Sequence, residues 1–191
     1  MDLWEALRGR RSIGVVKPEM PPREYIEKML EAATWAPNHF LTEPWRFFVL
    51  TGDARIRLGE AMADAAAARM ANPDDPESQS KLVKHRQNPL RAPVVIAVAA
   101  SPSDQKRVVL LEEIEAVACA VQNMLLAAHG LGLGAIWRTG DITYEPVLKN
   151  FFNLGPNDQL LGFVYIGYPQ GNKQPPRRTP FTEKTVWLDN Q

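Results

Sequence analysis

The architecture of this chain follows from the stretch LEEIEAVACAVQNMLLAAHGLGLGAIWRTG at residues 111–140. Residues 111–129 have the spacing of one long helix, with apolar side chains spread over more than a single stripe: Ile114, Val117, Cys119, Val121, Leu125 and Leu126. A helix that is apolar nearly all round is central to its fold or buried against a partner. The glycine-rich residues 130–134 end this helix, and residues 135–139 predict a short strand directly after it.

Outward from this helix and strand, the sequence predicts three more strands and about five more helices. The strands are expected at residues 46–50, 94–99 and 160–168, and the second of these is apolar on both faces. The helices are expected at residues 2–9, 21–36, 54–70 and 146–152, with a short one before residue 94. Residues 72–80 (NPDDPESQS) are typical of a linker, because they are polar and twice interrupted by proline. Helices and strands do not alternate strictly, which predicts one α+β domain over residues 1–191, a small sheet with helices packed around it.

Composition limits the classes of function. The chain has 191 residues, of which 45% are hydrophobic and 23% charged, as in ordinary globular domains. Its 22 basic and 22 acidic residues cancel, so no overall field favours nucleic acid or an anionic membrane surface. The longest apolar run, residues 93–100, is far shorter than the roughly 20 residues that span a bilayer. The N-terminus does not have the pattern of a signal peptide, and we expect a cytoplasmic protein.

The cysteine and histidine content argues against disulfide or metal chemistry. A single cysteine, Cys119, excludes an intramolecular disulfide and a cysteine-only metal site, and it is expected to be a small buried hydrophobic residue. The three histidines are widely separated, so no metal site is expected from His39, His85 and His129. The acidic residues that open the long helix are interpreted as a solvated stretch: Glu112, Glu113 and Glu115.

Arg10, Arg11 and Ser12 follow the first helix directly. Two guanidinium groups, a hydroxyl and a backbone N–H are well suited to hold a phosphate, because charge-assisted and bidentate hydrogen bonds are strong. The alternative is a solvated basic turn, in which the arginines favour the dipole of the preceding helix. The basic pair Arg177 and Arg178 near the C-terminus is equally ambiguous by itself.

The glycine-rich residues 130–134 do not form a dinucleotide-binding fingerprint. That fingerprint requires a strand, then the glycines, then a helix. Here the glycines follow a helix and precede a strand, so they are interpreted as a helix end and a tight turn. The sequence also lacks the G-x-S-x-G pattern of a nucleophile elbow.

Two further groups of residues are candidates for ligand contacts. Trp137, Arg138 and Thr139 lie where a strand meets a loop, a common place for binding residues, although a core tryptophan beside a surface arginine explains the same pattern. His39 lies in a loop bounded by prolines, where an isolated histidine is most often solvated. Neither group identifies a ligand without further evidence.

Taken together and in order, these motifs resemble the bacterial nitroreductase family, in particular its short branch. The resemblance rests on the segments Arg10-Arg11-Ser12, Ala36-Pro37-Asn38-His39, Pro44-Trp45-Arg46-Phe47, Gln122-Asn123, Gly130-Leu131-Gly132, Gly134 to Gly140, Arg178-Thr179-Pro180 and Val186-Trp187. It extends over nearly the whole chain. Two positions depart from the family pattern, Glu43 where glutamine is usual and Leu41 where a polar flavin contact is common.

The resemblance implies an α+β homodimer with two FMN sites at the subunit interface and a mostly antiparallel sheet. The long central helix would build that interface. The implied cofactor-binding residues are Arg10, Arg11, Ser12 and Arg178 at the phosphate end, and Trp35, His39, Trp137, Arg138 and Thr139 around the flavin ring. The loop around Pro37 and His39 would lie against the flavin of its own or of the partner subunit.

The activity implied by the resemblance is an FMN-dependent NAD(P)H oxidoreductase. Hydride would pass from NADH or NADPH through flavin N5 to an electron-poor small molecule, such as a nitroaromatic or a quinone. Arg138 would supply positive charge at the pyrimidine end of the flavin, and this scheme requires no dedicated catalytic acid or base. Two alternatives stay open: a flavoprotein with another reaction, such as reductive dehalogenation or aromatisation, and a cofactor-free dimeric interaction protein.

Overall fold

In the computed structural model, residues 1–171 and 177–188 are described. These ranges contain six α-helices and four β-strands, in agreement with the sequence-based count. The helices are α1 (Leu3–Gly9), α2 (Arg23–Thr34), α3 (Asp53–Ala67), α4 (Pro76–Gln87), α5 (Leu110–Gly130) and α6 (Pro146–Phe151). The strands are β1 (Trp45–Leu50), β2 (Val94–Ala100), β3 (Gly134–Arg138) and β4 (Gln159–Gly167).

The four strands form one antiparallel sheet in the order β1-β2-β4-β3. The central strand β2 is buried along its whole length, as its apolar residues predicted. Its side chains alternate between two hydrophobic clusters, one on each face of the sheet. Val94, Ile96 and Val98 pack with α2 and α5, whereas Val95, Ala97 and Ala99 pack with α3 and α6. The predicted α+β class is confirmed, with a sheet between two helical layers.

The long helix α5 lies against the sheet but leaves one stripe uncovered. Val117, Ala120, Val121 and Met124 are fully buried in the cluster shared with α2. A stripe of exposed residues follows the helical repeat along the opposite side: Leu111, Glu115, Cys119 and Gln122. The prediction that Cys119 is buried is therefore wrong for the single chain, because the apolar pattern of α5 extends beyond the surface that the sheet covers.

The interpretation of residues 72–80 as a linker is wrong for their second half, because α4 begins at Pro76. The carboxylate of Asp75 accepts a hydrogen bond from the backbone N–H of Ser78 and caps the helix. Proline is favourable in the first turn of a helix, where no backbone donor is lost. Pro76, one of the prolines that suggested a linker, is therefore the first residue of a helix.

Residues 12–17 run beside the outer strand β3 and the end of β4. The backbone N–H of Ile13 donates to Ala135 O at 2.9 Å, and Ser12 forms a parallel bridge with Ala135. Further along, Lys17 N–H donates to Tyr168 O at 2.8 Å. These bonds bring the segment after α1 next to the strand that carries Arg138.

None of the helices in the described part of the chain is both long and apolar enough to cross a membrane.

Candidate functional site

Arg10 and Arg11, directly after α1, form a cluster of positive charges together with Arg178 near the C-terminus. This group is called the basic cluster below. Partial burial lowers the pKa of Arg10, and the nearby charges of Arg11 and Arg178 lower it further. The side chain of Arg11 folds back toward the end of α1, and its Nη1 atom donates to Arg10 O at 2.8 Å. The buried atoms Arg10 Nη1 and Arg11 Nε have no hydrogen-bond partner in the described ranges. Repelling guanidinium groups with unsatisfied donors favour binding of an anion.

His129 belongs to the same cluster, and the sequence did not indicate it. This residue lies in the last turn of α5, and a Cβ added at Gly9 would lie 2.8 Å from its Nε2 atom. Burial lowers the pKa of His129, and the charges of Arg10 and Arg11 lower it further. The contact joins α1 to the far end of α5, across more than a hundred residues, and no local pattern predicts such a contact.

Arg138 lies beside Gly14, a residue of the segment that follows Arg10, Arg11 and Ser12. A Cβ added at Gly14 would lie 2.8 Å from Arg138 Nη2, so a glycine at this position leaves room for the guanidinium group. The Arg138 Cζ atom is 5.5 Å from the centre of the Tyr165 ring. Its buried Nε atom lacks a hydrogen-bond partner among the described residues. Arg138 thus has donor capacity left for a ligand.

A polar cavity of about 200 Å³ lies beside Arg138, on the side of the sheet that faces α3. Its polar lining includes Asn88, Arg91, Arg138, Thr139, Thr143 and Tyr165. Burial raises the pKa of Tyr165 to about 12, although the nearby charges of Arg138 and Arg91 act in the opposite direction. The phenol is therefore neutral at ordinary pH and can donate a hydrogen bond into the cavity.

Trp137 points to the other face of the sheet from Arg138. It packs against the hydrophobic cluster of α2 and α5, and its Nε1 atom donates to Leu161 O at 3.1 Å. Successive side chains of a strand point to opposite faces. The structure therefore brings Arg138 and exposed Thr139 to the polar cavity, and it places the Trp137 ring in a different environment.

The loop at residues 38–43 is hydrogen-bonded to the first turn of α5. His39 Nδ1 lies 2.8 Å from Glu112 Oε2, and Thr42 Oγ1 donates to Glu113 Oε1 at 2.6 Å. The backbone N–H of Ser103 donates to Glu113 Oε2 at 3.1 Å. The interpretation of Glu113 as solvated is wrong, because its side chain is buried and both of its oxygens accept hydrogen bonds.

The basic cluster and the His39 loop lie at opposite ends of α5. Seventeen residues separate Glu112 from His129, which corresponds to roughly 25 Å along an α-helix. Trp35, at the end of α2 just before the loop, is 80% exposed. One chain therefore brings together Arg10, Arg11 and Arg178, places Arg138 and Thr139 at the polar cavity, and holds His39 at the other end of α5 from the basic cluster.

Comparison with known proteins shows the family to which the chain belongs. The model of the nitroreductase family matches residues 7–168. The Escherichia coli (strain K12) protein YdjA, which carries the name of an NAD(P)H nitroreductase, is 36% identical over 170 residues, covering 89% of this chain and 90% of that protein.

Two solved structures show the same architecture. A nitroreductase-like family protein from Bacillus cereus superposes with a TM-score of 0.84 at 26% identity, covering 100% of this chain and 97% of that one. A Desulfovibrio desulfuricans protein, assigned as a nitroreductase and solved in complex with FMN, superposes with a TM-score of 0.71 at 27% identity, covering 100% and 99%. The nitroreductase-like fold expected from the sequence is confirmed.

Proposed function

The chain belongs to the nitroreductase family, and from that premise we propose that it is an FMN-dependent oxidoreductase that uses NADH or NADPH. The observation that carries this proposal is the cluster of Arg10, Arg11 and Arg178, in which the buried donors Arg10 Nη1 and Arg11 Nε are unsatisfied in the described chain. A phosphate dianion would neutralise the repulsion and accept those hydrogen bonds. The FMN bound to the Desulfovibrio desulfuricans relative and the name of the Escherichia coli relative support the choice of cofactor and electron donor.

Two groups of residues fit a flavin nucleotide. Arg10, Arg11, Ser12 and Arg178 would hold the phosphate end. Arg138 would place a fixed positive charge beside the flavin ring, and such a charge favours uptake of electrons. When bound, the flavin supplies hydride transfer from the nicotinamide to an electron-poor acceptor, such as a nitroaromatic or a quinone. The chain itself would bind and orient the reactants and exclude water from them.

We further propose that the active form is a homodimer in which each copy completes the other's site. Glu112 and His129 lie roughly 25 Å apart along α5, so a single chain does not place the His39 loop beside its own basic cluster. Two copies of α5 packed antiparallel would place the His39 loop of one chain beside the basic cluster of the other. In this arrangement His39 and Trp35 would contact the flavin of the partner subunit.

The test is an absorbance spectrum of the purified protein, taken anaerobically before and after addition of NADH or NADPH. We expect a yellow protein whose flavin absorbance bleaches with at least one of the two nucleotides. The double variant Arg10→Ala with Arg178→Ala should lose FMN by about tenfold or more in affinity, since two charge-assisted contacts are removed. Arg57→Ala, at an exposed position on α3, is the matched control and should keep its FMN.

Two results would contradict the proposal. A colourless protein that takes up no added FMN would favour the cofactor-free interaction protein. Full flavin content in the double variant would remove Arg10 and Arg178 from the phosphate site. A yellow protein that neither NADH nor NADPH bleaches would keep the flavin assignment but overturn the electron donor, and it would favour a flavoprotein with another reaction.

A further inference from the structure

The loop at residues 38–43 has a backbone conformation that needs support from outside the loop. Phe40, Leu41 and Glu43 have φ angles of 55°, 53° and 46°. These values lie in the left-handed region, where a side chain crowds the backbone and glycine is the favoured residue. Three such residues in one short loop, none of them glycine, require contacts that hold this conformation.

Glu113 provides the buried part of that support. Its carboxylate is 1% exposed and accepts hydrogen bonds from the hydroxyl of Thr42 and from the backbone N–H of Ser103. Thr42 lies between the strained residues Leu41 and Glu43, so its position determines the path of the loop. A buried carboxylate with well-placed donors is a rigid anchor, because breaking its bonds leaves a charge unsatisfied.

The remaining contacts of the loop are more exposed. His39 Nδ1 lies 2.8 Å from Glu112 Oε2 at the surface, and such an exposed polar contact contributes little to stability. The backbone N–H of Glu43 donates to Asn38 Oδ1 at 3.0 Å within the loop itself. Glu113 is therefore the contact that joins the loop to the buried part of the molecule.

The anchored loop presents two large apolar side chains to solvent. Phe40 is 44% exposed and stacks on the His39 ring with centroids 3.9 Å apart, and Leu41 is 83% exposed. Both side chains are apolar, so this part of the loop offers an apolar surface. A flat aromatic molecule is the kind of ligand that such a pair contacts well.

We propose that Glu113 is a positioning residue that acts through Thr42 to hold Phe40 and Leu41 against an aromatic acceptor. The inference rests on the proposed function, because this loop reaches the flavin site of the partner subunit only in the proposed dimer. Glu113 touches neither acceptor nor cofactor in this scheme. Its effect is on acceptor binding, whereas the phosphate end of the flavin depends on other residues.

The chain contains a matched control for this contact. Asp158 is also buried, and its carboxylate accepts hydrogen bonds from Ser101 Oγ at 2.8 Å and from the backbone N–H of Gly155 at 2.8 Å. A hydroxyl and a backbone N–H bind this carboxylate, as at Glu113, and Arg46 Nη1 also donates to it at 3.4 Å. The contact joins β2 to the turn before β4. Thr42→Val and Ser101→Ala therefore each remove one hydroxyl from a buried carboxylate, and only the first changes a residue of the loop.

The first measurement is amide hydrogen exchange of residues 38–43 in the protein without FMN. We expect Thr42→Val and Glu113→Gln to exchange about tenfold faster or more in this segment, since each disrupts a hydrogen bond to a charged acceptor. Thr42→Ser, which keeps the hydroxyl, should restore the slow exchange, and Ser101→Ala should not change this segment. Equal exchange in Thr42→Val and the wild type would overturn the proposal, whatever the cofactor.

The second measurement separates KM from kcat with NADH and 4-nitrobenzoate as the acceptor probe. We expect Thr42→Val to raise the KM for 4-nitrobenzoate about tenfold with unchanged FMN content and nearly unchanged kcat, while Thr42→Ser and Ser101→Ala resemble the wild type. A KM that does not change, or that changes equally in Ser101→Ala, would overturn the role in acceptor binding. Failure of the wild-type protein to bind FMN would instead refute the proposed function, and hydrogen exchange alone would then decide whether Glu113 holds the loop.

Discussion

His129 is a reporter of the charge at the proposed phosphate site. Burial lowers its pKa first, and the charges of Arg10 and Arg11 lower it further. An anion bound to these arginines compensates their charge. We therefore expect inorganic phosphate, or FMN, to raise the pKa of His129 by about 0.5 pH unit or more. The measurement is an NMR titration of the histidine Hε1 resonances in the cofactor-free protein.

His85 is the internal control for this titration. Its pKa is lowered by burial alone, so a bound anion at the cluster should leave it unchanged. The variants His129→Gln and His85→Gln assign the two resonances. If phosphate shifts both pKa values equally, or neither, the cluster is not the anion site.

The buried hydroxyl of Tyr165 makes the free energy of unfolding depend on pH in the alkaline range. Burial raises its pKa to about 12 in the folded protein, from an ordinary value of 10.0. The neutral phenol is favoured by the fold, so its contribution is fully present below pH 10 and is lost as the pH rises toward 12. The loss approaches about 1.4 kcal/mol per pH unit, or roughly 3 kcal/mol over this window.

The check is urea unfolding of the wild type and Tyr165→Phe at pH 9 and pH 11. Lysines and other tyrosines titrate in the same range, but they are common to both proteins and cancel in the difference. We expect the wild type to lose about 1 kcal/mol more than the variant between these pH values. Equal losses would mean that Tyr165 ionises freely in the folded state.

The residues proposed to bind phosphate could be named from the sequence, whereas the residue that supports the loop at 38–43 could not. Arg10, Arg11 and Arg178 carry their chemistry in their side chains, and their order along the chain matches the family. Glu113 resembles its neighbours Glu112 and Glu115 in sequence, and it is buried because a loop seventy residues earlier supplies a hydroxyl group. Such long-range pairings leave no mark on local composition.

At the scale of elements, the contact between α3 and α4 depends on a glycine. A Cβ added at Gly59 would lie 2.2 Å from the backbone oxygen of Arg86. Backbone cannot move aside as a flexible side chain can, so the helices would have to separate. We expect Gly59→Ala to destabilise the protein by about 1–3 kcal/mol, despite the better helix propensity of alanine. Urea unfolding measures the change.

Gly130, at the end of α5, provides the matched control for the same substitution. Nothing in the described chain lies within 4 Å of a Cβ added there. Gly130→Ala should therefore change the free energy of unfolding by no more than about 0.5 kcal/mol. A similar loss in both variants would show that close packing of α3 against α4 is not the cause.

The elements themselves were predictable where one periodicity dominated. Strand β2 and helix α5 have long apolar patterns, and both lie where the sequence placed them. The start of α4 was missed because Asp75 and Pro76 occur both in linkers and at helix N-termini. The packing of α4 against α3 decides that this segment is a helix and not a linker. That packing involves Gly59, and a glycine adds nothing to a hydrophobic pattern.

At the scale of the whole molecule, apolar surface remains that a single chain does not cover. In α1, no residue is fully buried, and Leu3 and Trp4 are both largely exposed. Along α5, the exposed stripe contains Leu111 and Cys119 within an otherwise apolar helix. Exposed apolar surface of this kind marks an interaction site. It is consistent with the antiparallel pairing of α5 that the proposed flavin site requires.

This pairing predicts the effect of a charge at the middle of α5. Cys119 is exposed in the single chain, so Cys119→Glu should cost little stability if the protein is a monomer. In the proposed dimer it would bury two like charges near the symmetry axis, at a cost of about 3–5 kcal/mol. We expect the wild type to sediment at about twice the 21.4 kDa of one chain, and the variant to shift toward a single chain.

The control is Val83→Glu on α4, which places the same charge at another exposed apolar position and should leave the dimer intact. The two variants also differ in flavin retention. Loss of the partner removes its His39 loop from the site, so Cys119→Glu should release FMN while Val83→Glu retains it. A wild type that sediments as one chain, or a Cys119→Glu variant that remains a yellow dimer, would refute the antiparallel arrangement. The roughly 25 Å between the two ends of α5 would then exclude His39 from the flavin site.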